Sequence, residues 1–292
     1  IKNELNEYNI SKQSPKYDYE VEFKETLYNN HPRAKFKTDE IINKINLEDV
    51  QSFYKDRFQD GGNFNFYIVG DFKFDEIEPL IEKYIGSLPK VNRVDEYIDH
   101  GIRYSKDKHE LIYKEEDPKK ANVTRLYFKE FNSSIKERFK FNLLFNIADK
   151  MLHEQVREKD NLVYSIAMNK YFDQFKPIEM ISFYTYFGSD PENVETIKNK
   201  IDDVFKDIKN KNFDQQIMID QKIVLINEFK ENLRKNSYWH TLLEYSDQNN
   251  QNLERFMNIE LIINSITAND ISRLAKKYFN DKYFRDIQLT AE

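Results

Sequence analysis

Cysteine is absent from the 292 residues, glycine occurs only six times, and histidine five. Without cysteine the chain can form no disulfide, no thiol nucleophile and no Cys-ligated zinc site, although reducing and oxidising compartments both stay open to it. So few glycines leave no Gly-rich loop to cradle a phosphate, and no sharp Gly-x-Ser-x-Gly turn presents a nucleophilic serine. Among His31, His100, His109, His153 and His240 no two stand four apart, so the helical histidine pair that builds a zinc-hydroxide site is missing. His153-Glu154-Gln155-Val156-Arg157 comes nearest, but it carries arginine where a second ligand would be needed, and a guanidinium cannot ligate zinc. All five histidines read as surface or internally satisfied residues, and no metal site is expected. Apolar runs are short, Phe66 to Val69 and Ile181 to Phe183 among the best, against the roughly 18 residues a membrane span requires. The chain is expected to be soluble, with no membrane partner.

What is present is a globular composition: 39% hydrophobic, 15% aromatic, enough to fill a substantial core in one large or two smaller domains. The 45 basic and 51 acidic residues are interspersed rather than blocked, as on a charge-mixed, solvated surface. A net charge of -6 with no concentrated basic face argues against a nucleic-acid partner. The first residues, Ile-Lys-Asn, show neither an initiator Met nor a signal-peptide pattern, which leads to the expectation that the chain was cut from something longer.

Two segments share one helix-start grammar. In Ile45-Asn46-Leu47-Glu48-Asp49-Val50 and Ile266-Thr267-Ala268-Asn269-Asp270-Ile271, Asn46 and Thr267 are placed as N-caps. Asp49 and Asp270 occupy the third helical position, and Ile45/Val50 and Ile266/Ile271 form hydrophobic staples. The match extends to Phe53, Tyr54, Arg57 and Phe58 against Leu274, Ala275, Tyr278 and Phe279, and to a strand-like Phe64 to Val69 against Arg285 to Thr290. The offset stays near 221 residues (266 minus 45), so one whole unit and the last part of a preceding one are expected.

Around this repeat the patterns predict a helix over 17–30 stopped at Asn30-His31-Pro32, a turn at Asp60-Gly61-Gly62, a strand over 64–70 and a helix over 74–85 ended by Leu88-Pro89. An apolar-poor connection at 90–100 divides residues 1–90 from 91–292. Two strands are expected between 101 and 128, separated by Asp117-Pro118-Lys119-Lys120, then a striped helix from Ser134 to Lys159 and strands over 163–171 and 178–187. A helix capped by Asp190, with Pro191 in its first turn, carries Val194, Ile197, Ile201, Val204 and Ile208 at helical spacing; helices to about Phe279 and a last strand near Ile287 follow. The fold class is α+β: an antiparallel-rich sheet with helices packed on one face.

One segment invites a chemical reading. Val156-Arg157-Glu158-Lys159-Asp160-Asn161-Leu162-Val163-Tyr164-Ser165 ends a long helix and enters a strand, with Asn161 suited to the left-handed turn. Arg157 and Tyr164 could face one cavity and hydrogen-bond a peptide carbonyl or a developing oxyanion. By spacing alone, Arg157 could equally serve the helix dipole and Tyr164 simply pack on its strand.

Arg157-Glu158-Lys159-Asp160-Asn161-Leu162-Val163-Tyr164-Ser165 resembles the Arg-Glu-x-x-Gly-x-x-Tyr-Ser segment in the C-terminal half of the pitrilysin/insulinase (inverzincin) zinc metallopeptidases. Phe53 to Phe58, Phe64 to Gly70 and Tyr84 to Pro89 are similar to the end of that family's third domain; Asp190 to Val194 and Asn236 to Trp239 are similar to its fourth, in a bacterial zinc-protease branch. The resemblance implies four related domains in two halves that close around a chamber, with this chain holding the last part of the third unit (1–90) and the whole fourth (91–292). It implies a zinc-dependent endopeptidase whose zinc, held by His-x-x-Glu-His and a distant Glu, lies in the N-terminal half, and whose C-terminal half encloses and positions the substrate. Arg157 and Tyr164 are then the substrate-binding residues, with no catalytic residue or metal ligand in this chain. The partners implied are a peptide or small protein substrate and the N-terminal half of the same protein, and the compartment suggested is a bacterial periplasm. The alternative is an inactive homologue serving as a scaffold or peptide-binding module. Two positions depart from the family pattern: Asn161 stands for the usual Gly, and Leu289-Thr290-Ala291-Glu292 for a Leu-x-Pro ending.

Overall fold

A computed structural model describes residues 1–14, 16–92, 95–105, 110–115, 121–131, 134–173, 178–256, 258–280, 282 and 284–291. His109 and the Asp117 to Lys120 turn lie outside the described residues. Contacts group the chain into two compact units that interleave in sequence: the first takes residues 1–14, 36–100 and 230–253, and the second 15–35, 101–229 and 254–292.

The second unit carries the sheet. Its strands are β1 (Glu110–Glu115), β2 (Ala121–Glu130), β3 (Ser165–Asp173), β4 (Met180–Ser189) and β5 (Phe284–Ala291), in the spatial order β1-β5-β2-β4-β3. β5 pairs antiparallel with β2, β2 with β4 and β4 with β3, while β1 runs parallel to β5. The antiparallel-rich α+β class expected from the sequence is the class observed. The two strands expected between 101 and 128 are present but are not neighbours, because β5 lies between them.

Strand alternation explains which face is buried. Ala121, Val123 and Tyr127 of β2, Ile166 and Met168 of β3, and Ile181, Phe183 and Phe187 of β4 all point into one core. Against that face pack α6 (Ile135–Leu152), α7 (Val194–Asn210) and α11 (Ala268–Tyr278). Phe141 of α6 meets Phe183 and, edge-on, Tyr278, and Phe205 of α7 stacks on Phe279 at 4.0 Å. Such aromatic pairs add about 0.5–1.5 kcal/mol each beyond their area. Arg125 shares the buried row of β2 and reaches α7, where its guanidinium donates to Asp202 at 2.7 Å. The unit also contains α2 (Tyr17–Leu27), α8 (Gln215–Asn232) up to Phe229, and α10 (Ile259–Asn264). α2 stops where expected: Asn29 and Asn30 turn left-handed before Pro32.

The first unit holds α1 (Lys2–Lys12), α3 (Asp39–Asn43), α4 (Leu47–Phe58), α5 (Phe74–Tyr84) and α9 (Asn236–Gln248). Asp60 forms the expected turn by accepting from the N–H groups of Gly62 and Val91, while Gly61 lies so close to Leu88 that a Cβ there would sit 2.6 Å from that side chain. Both repeat caps form as predicted: Asn46 accepts from the Asp49 N–H, and Thr267 from that of Asp270. The packing of the two repeat helices differs. In α11, Ile271, Leu274 and Ala275 are buried, and Phe279 just beyond it is 1% exposed; in α4 the matching Val50, Phe53, Tyr54 and Phe58 are all more than half exposed, Phe53 at 61%.

Three sequence expectations need correction. Residues 64–70 form no strand. A strand exists by pairing, and while the matching β5 is bonded on both edges, no described residue offers Phe64 to Val69 a ladder. Asn65 and Tyr67 instead donate their side-chain hydrogen bonds to Asp247 of α9. The long helix is not α-helical to its end, because residues His153–Glu158 widen into a π-helix. Asp190 is not the side-chain cap of α7, which follows a 3-10 turn at Pro191–Asn193; its carboxylate bonds elsewhere.

Candidate functional site

The segment between α6 and β3 is fixed almost wholly by its own backbone. In the π-helix the Lys159 N–H reaches back five residues to the Glu154 carbonyl. Asn161 then turns left-handed at φ +51°, the conformation expected of it. This turn lets the Asn161 N–H donate to the Arg157 carbonyl and the Leu162 N–H to the Val156 carbonyl, satisfying acceptors that a helix end leaves open. Val156 and Val163 are buried on either side of the turn, pinning it into the core. Asp160 forms an ion pair with Lys200 of α7, a further fastening.

Arg157 lies on this locked turn with its side chain exposed. Its guanidinium makes no ion pair or side-chain hydrogen bond with any described residue. Tyr164 follows the turn, immediately before β3, and is 54% exposed. Its N–H donates to the Gly188 carbonyl at 2.8 Å, and its phenol donates to Asp190 Oδ1 at 2.6 Å. The Asp190 hydrogen bond, with burial and charge adding to it, holds the phenol pKa above its ordinary value. Among the described residues, both side chains are exposed. A shallow cleft of about 600 Å³ lies in the first unit, lined by Phe64 to Tyr67 and by Leu243 and Asp247, and neither Arg157 nor Tyr164 borders it.

Sequence reasoning missed Asp190 as a partner of Tyr164. Its position before Pro191 reads as a helix cap, and a contact across 26 residues leaves no local signal. Lys200 was missed for the same reason, since only the folded chain brings α7 beside Asp160. His153 lies 3.9 Å from Asp149 on the helix surface. Among the described residues no group of three or more His, Cys, Asp or Glu is placed to hold a metal ion, so these residues do not fit a zinc centre. Nor is any helix among them long and apolar enough to cross a membrane.

Comparison with known proteins adds a context that geometry alone does not supply. Residues 44–225 match the family described as the peptidase M16 inactive domain. A curated relative, the probable zinc protease PqqL of Haemophilus influenzae, is 23% identical over 195 residues, covering 66% of this chain and 20% of its own length. The periplasmic protease PqqL of Escherichia coli superposes with a TM-score of 0.79 at 16% identity, over 99% of this chain and 32% of that one. The ferredoxin protease FusC, solved with Arabidopsis ferredoxin, gives a TM-score of 0.79 at 17% identity, over 97% of this chain and 31% of that one. The chain thus spans about a fifth of the curated relative and about a third of the two solved proteases.

Proposed function

Because the chain belongs to the pitrilysin-type peptidase M16 family and carries its inactive-type domain, we propose that it is the C-terminal half of a zinc-dependent endopeptidase. In this reading it encloses and positions peptide for hydrolysis at a zinc site in an N-terminal half of the same protein. The repeat boundaries are residues 1–90, the end of the third family domain, and 91–292, the fourth. Arg157 and Tyr164 bind the substrate.

The observation that carries this reading is Arg157, an exposed guanidinium unengaged by any described residue, on a turn whose backbone is locked. A charged side chain that merely completed a helix end would gain as much on a frayed terminus; a rigid mount favours a group that must meet a ligand in one orientation. Five N–H donors in a planar fork suit a peptide carbonyl. Tyr164, held by backbone and phenol together, is similarly fixed.

The first unit supports the proposed repeat. Val50, Phe53, Tyr54 and Phe58 of α4 are exposed where their repeat counterparts are buried, and residues 64–69 lack the strands that flank β5. By the repeat, the missing cover is a sheet and long helix of the same kind as β2 and α6, supplied by the preceding part of the third unit. Compartment follows only by analogy: the Escherichia coli relative is a periplasmic protease, and periplasmic fractionation of the full-length product tests the same placement here.

The functional test is cleavage of a quenched fluorescent peptide mixture by the full-length product, with and without a chelator and zinc re-addition. We expect cleavage that the chelator abolishes and zinc restores, and none from the 292-residue chain alone. Arg157→Ala and Tyr164→Phe should each lower kcat/KM by about tenfold to a hundredfold, the effect of losing one hydrogen bond to a charged or developing charge, with unchanged circular dichroism. A folded, zinc-loaded but inert product would overturn the enzymatic reading in favour of an inactive scaffold, and unchanged kinetics in both variants would remove the site assignment.

A further inference from the structure

β3 is an edge strand: it pairs with β4 alone, and among the described residues no strand lies on its other side. Such an edge presents backbone N–H and C=O groups that another extended chain can join. On β3 the middle of that row is already engaged. The Met168 N–H donates not to β4 but to Asp149 Oδ1 of α6, at 3.0 Å. By the alternation of an antiparallel ladder, Ile166, Lys170 and Phe172 turn their backbone groups to the same side as Met168. One turn before Asp149, Phe145 of α6 receives the Lys170 ammonium over its ring at 4.8 Å. An i, i+4 pair on the helix thus meets an i, i+2 pair on the strand. Burial holds the Lys170 pKa below the ordinary lysine value, against the opposing charges of Glu228 and Asp149.

We propose that Asp149, with Lys170 beside it, closes the edge of β3 to strand addition, so that an extended peptide cannot join the sheet there. An added strand has to bring a carbonyl oxygen to the Met168 N–H, where the Asp149 carboxylate now stands. A carboxylate only accepts, so it repels the incoming oxygen and offers the new strand nothing in exchange. The same strand would cover Lys170, whose ammonium is already partly desolvated, and burying it further is unfavourable. An inward-pointing charge on an edge strand is one of the devices that keep sheets from pairing edge to edge. The inference stands apart from the zinc-peptidase reading, although the two are compatible: an open edge in a chain that positions peptides would capture them as a strand rather than leave them to side chains.

The test uses the full-length protein, with chelator present so that no zinc-dependent cleavage consumes the probe. The probe is a labelled peptide with the sequence of β3 itself, residues 165–173, and its control is the same peptide N-methylated at alternate amides so that it cannot pair. Both are titrated by fluorescence anisotropy, with wild type as the baseline. Asp149→Ala should bind the unmodified peptide at least about tenfold more tightly than wild type does, with no gain for the N-methylated one. Asp149→Asn keeps an acceptor oxygen and should behave as wild type. Adding Lys170→Thr to Asp149→Ala should tighten binding further, and an unchanged Kd would remove Lys170 from the guard. Hydrogen exchange at the Met168 amide should be about ten- to a hundredfold faster in Asp149→Ala, the effect of losing one bond to a charged acceptor. A folded Asp149→Ala that releases this amide, binds no probe and sediments as wild type overturns the proposal, as does an equal gain for both peptides. Where Asp149→Ala does not fold, exchange in the wild type decides: a slow Met168 amide is required, and one as fast as an exposed loop amide overturns the closure.

Discussion

Thr267 and Asp270 start α11 with a reciprocal pair of bonds: the threonine hydroxyl accepts from the Asp270 N–H, and the Asp270 carboxylate accepts from the Thr267 N–H. Removing the hydroxyl in Thr267→Ala should cost about 1 kcal/mol, read as a lower urea midpoint. Burial alone would raise the Asp270 pKa; the Thr267 bonds, with Lys140 and Arg273 nearby, outweigh it and bring it below the ordinary carboxylate value. A depressed folded pKa means a contribution present above the unfolded value of about 3.9 and lost as pH falls through the folded one. The stability gap between wild type and Asp270→Asn should therefore be full at pH 6 and shrink below about pH 4. Arg125 offers a contrasting case. Its side chain is buried and its partner Asp202 is half exposed. Asp202→Ala leaves that guanidinium short of a partner and should cost about 1–3 kcal/mol, below the usual loss for a fully buried pair. Arg125→Met should cost less, and thermal unfolding of the two variants distinguishes the outcomes.

At the scale of elements, α4 and α11 share a sequence grammar and differ in what covers them. Leu274→Ala in α11 should cost about 2–5 kcal/mol by opening the core. Phe53→Ser and Phe58→Ser in α4 should shift the unfolding midpoint of this chain by no more than about 0.5 kcal/mol each, since their rings are already exposed. Those same serines should weaken association with a co-expressed segment carrying the preceding part of the third unit, measured by pull-down. The comparison also marks what could be read in advance. The starts of both helices were legible because a cap and its third-position partner lie within one turn of chain. α7 was legible because its apolar stripe runs for several turns, and the left-handed Asn161 because its residue type and its place after a helix suffice. The strand expected at 64–70 failed because alternation specifies a pleated surface but cannot supply a neighbour. The π-helix at His153–Glu158 shifts each hydrogen bond by one residue without altering the hydrophobic pattern, and the Tyr164–Asp190 bond joins residues that only folding brings together. At the candidate site, then, the two side chains and their turn could be named from sequence, and the carboxylate that orients one of them could not.

For the molecule as a whole, the order β1-β5-β2-β4-β3 places the latest strand of the chain inside the sheet rather than at its edge. Glu110 pairs with Asp286 and Tyr127 with Phe284, so both ladders of β5 join residues far apart in sequence. A chain stopped before Phe284 should leave β1 without its partner and β2 with an open edge. It is expected to bind ANS and to unfold in urea less cooperatively than the 292-residue chain. The β2-β4-β3 portion, by contrast, is complete once Ser189 has been made. Synthesis of the remaining ~95 residues before Phe284 takes ~5–20 s at ordinary translation rates, and throughout that interval the nascent chain presents an unpaired strand to its surroundings. Chaperone demand for this protein should accordingly be greatest while it is still on the ribosome, and a stall in that window would expose β2 to neighbouring chains.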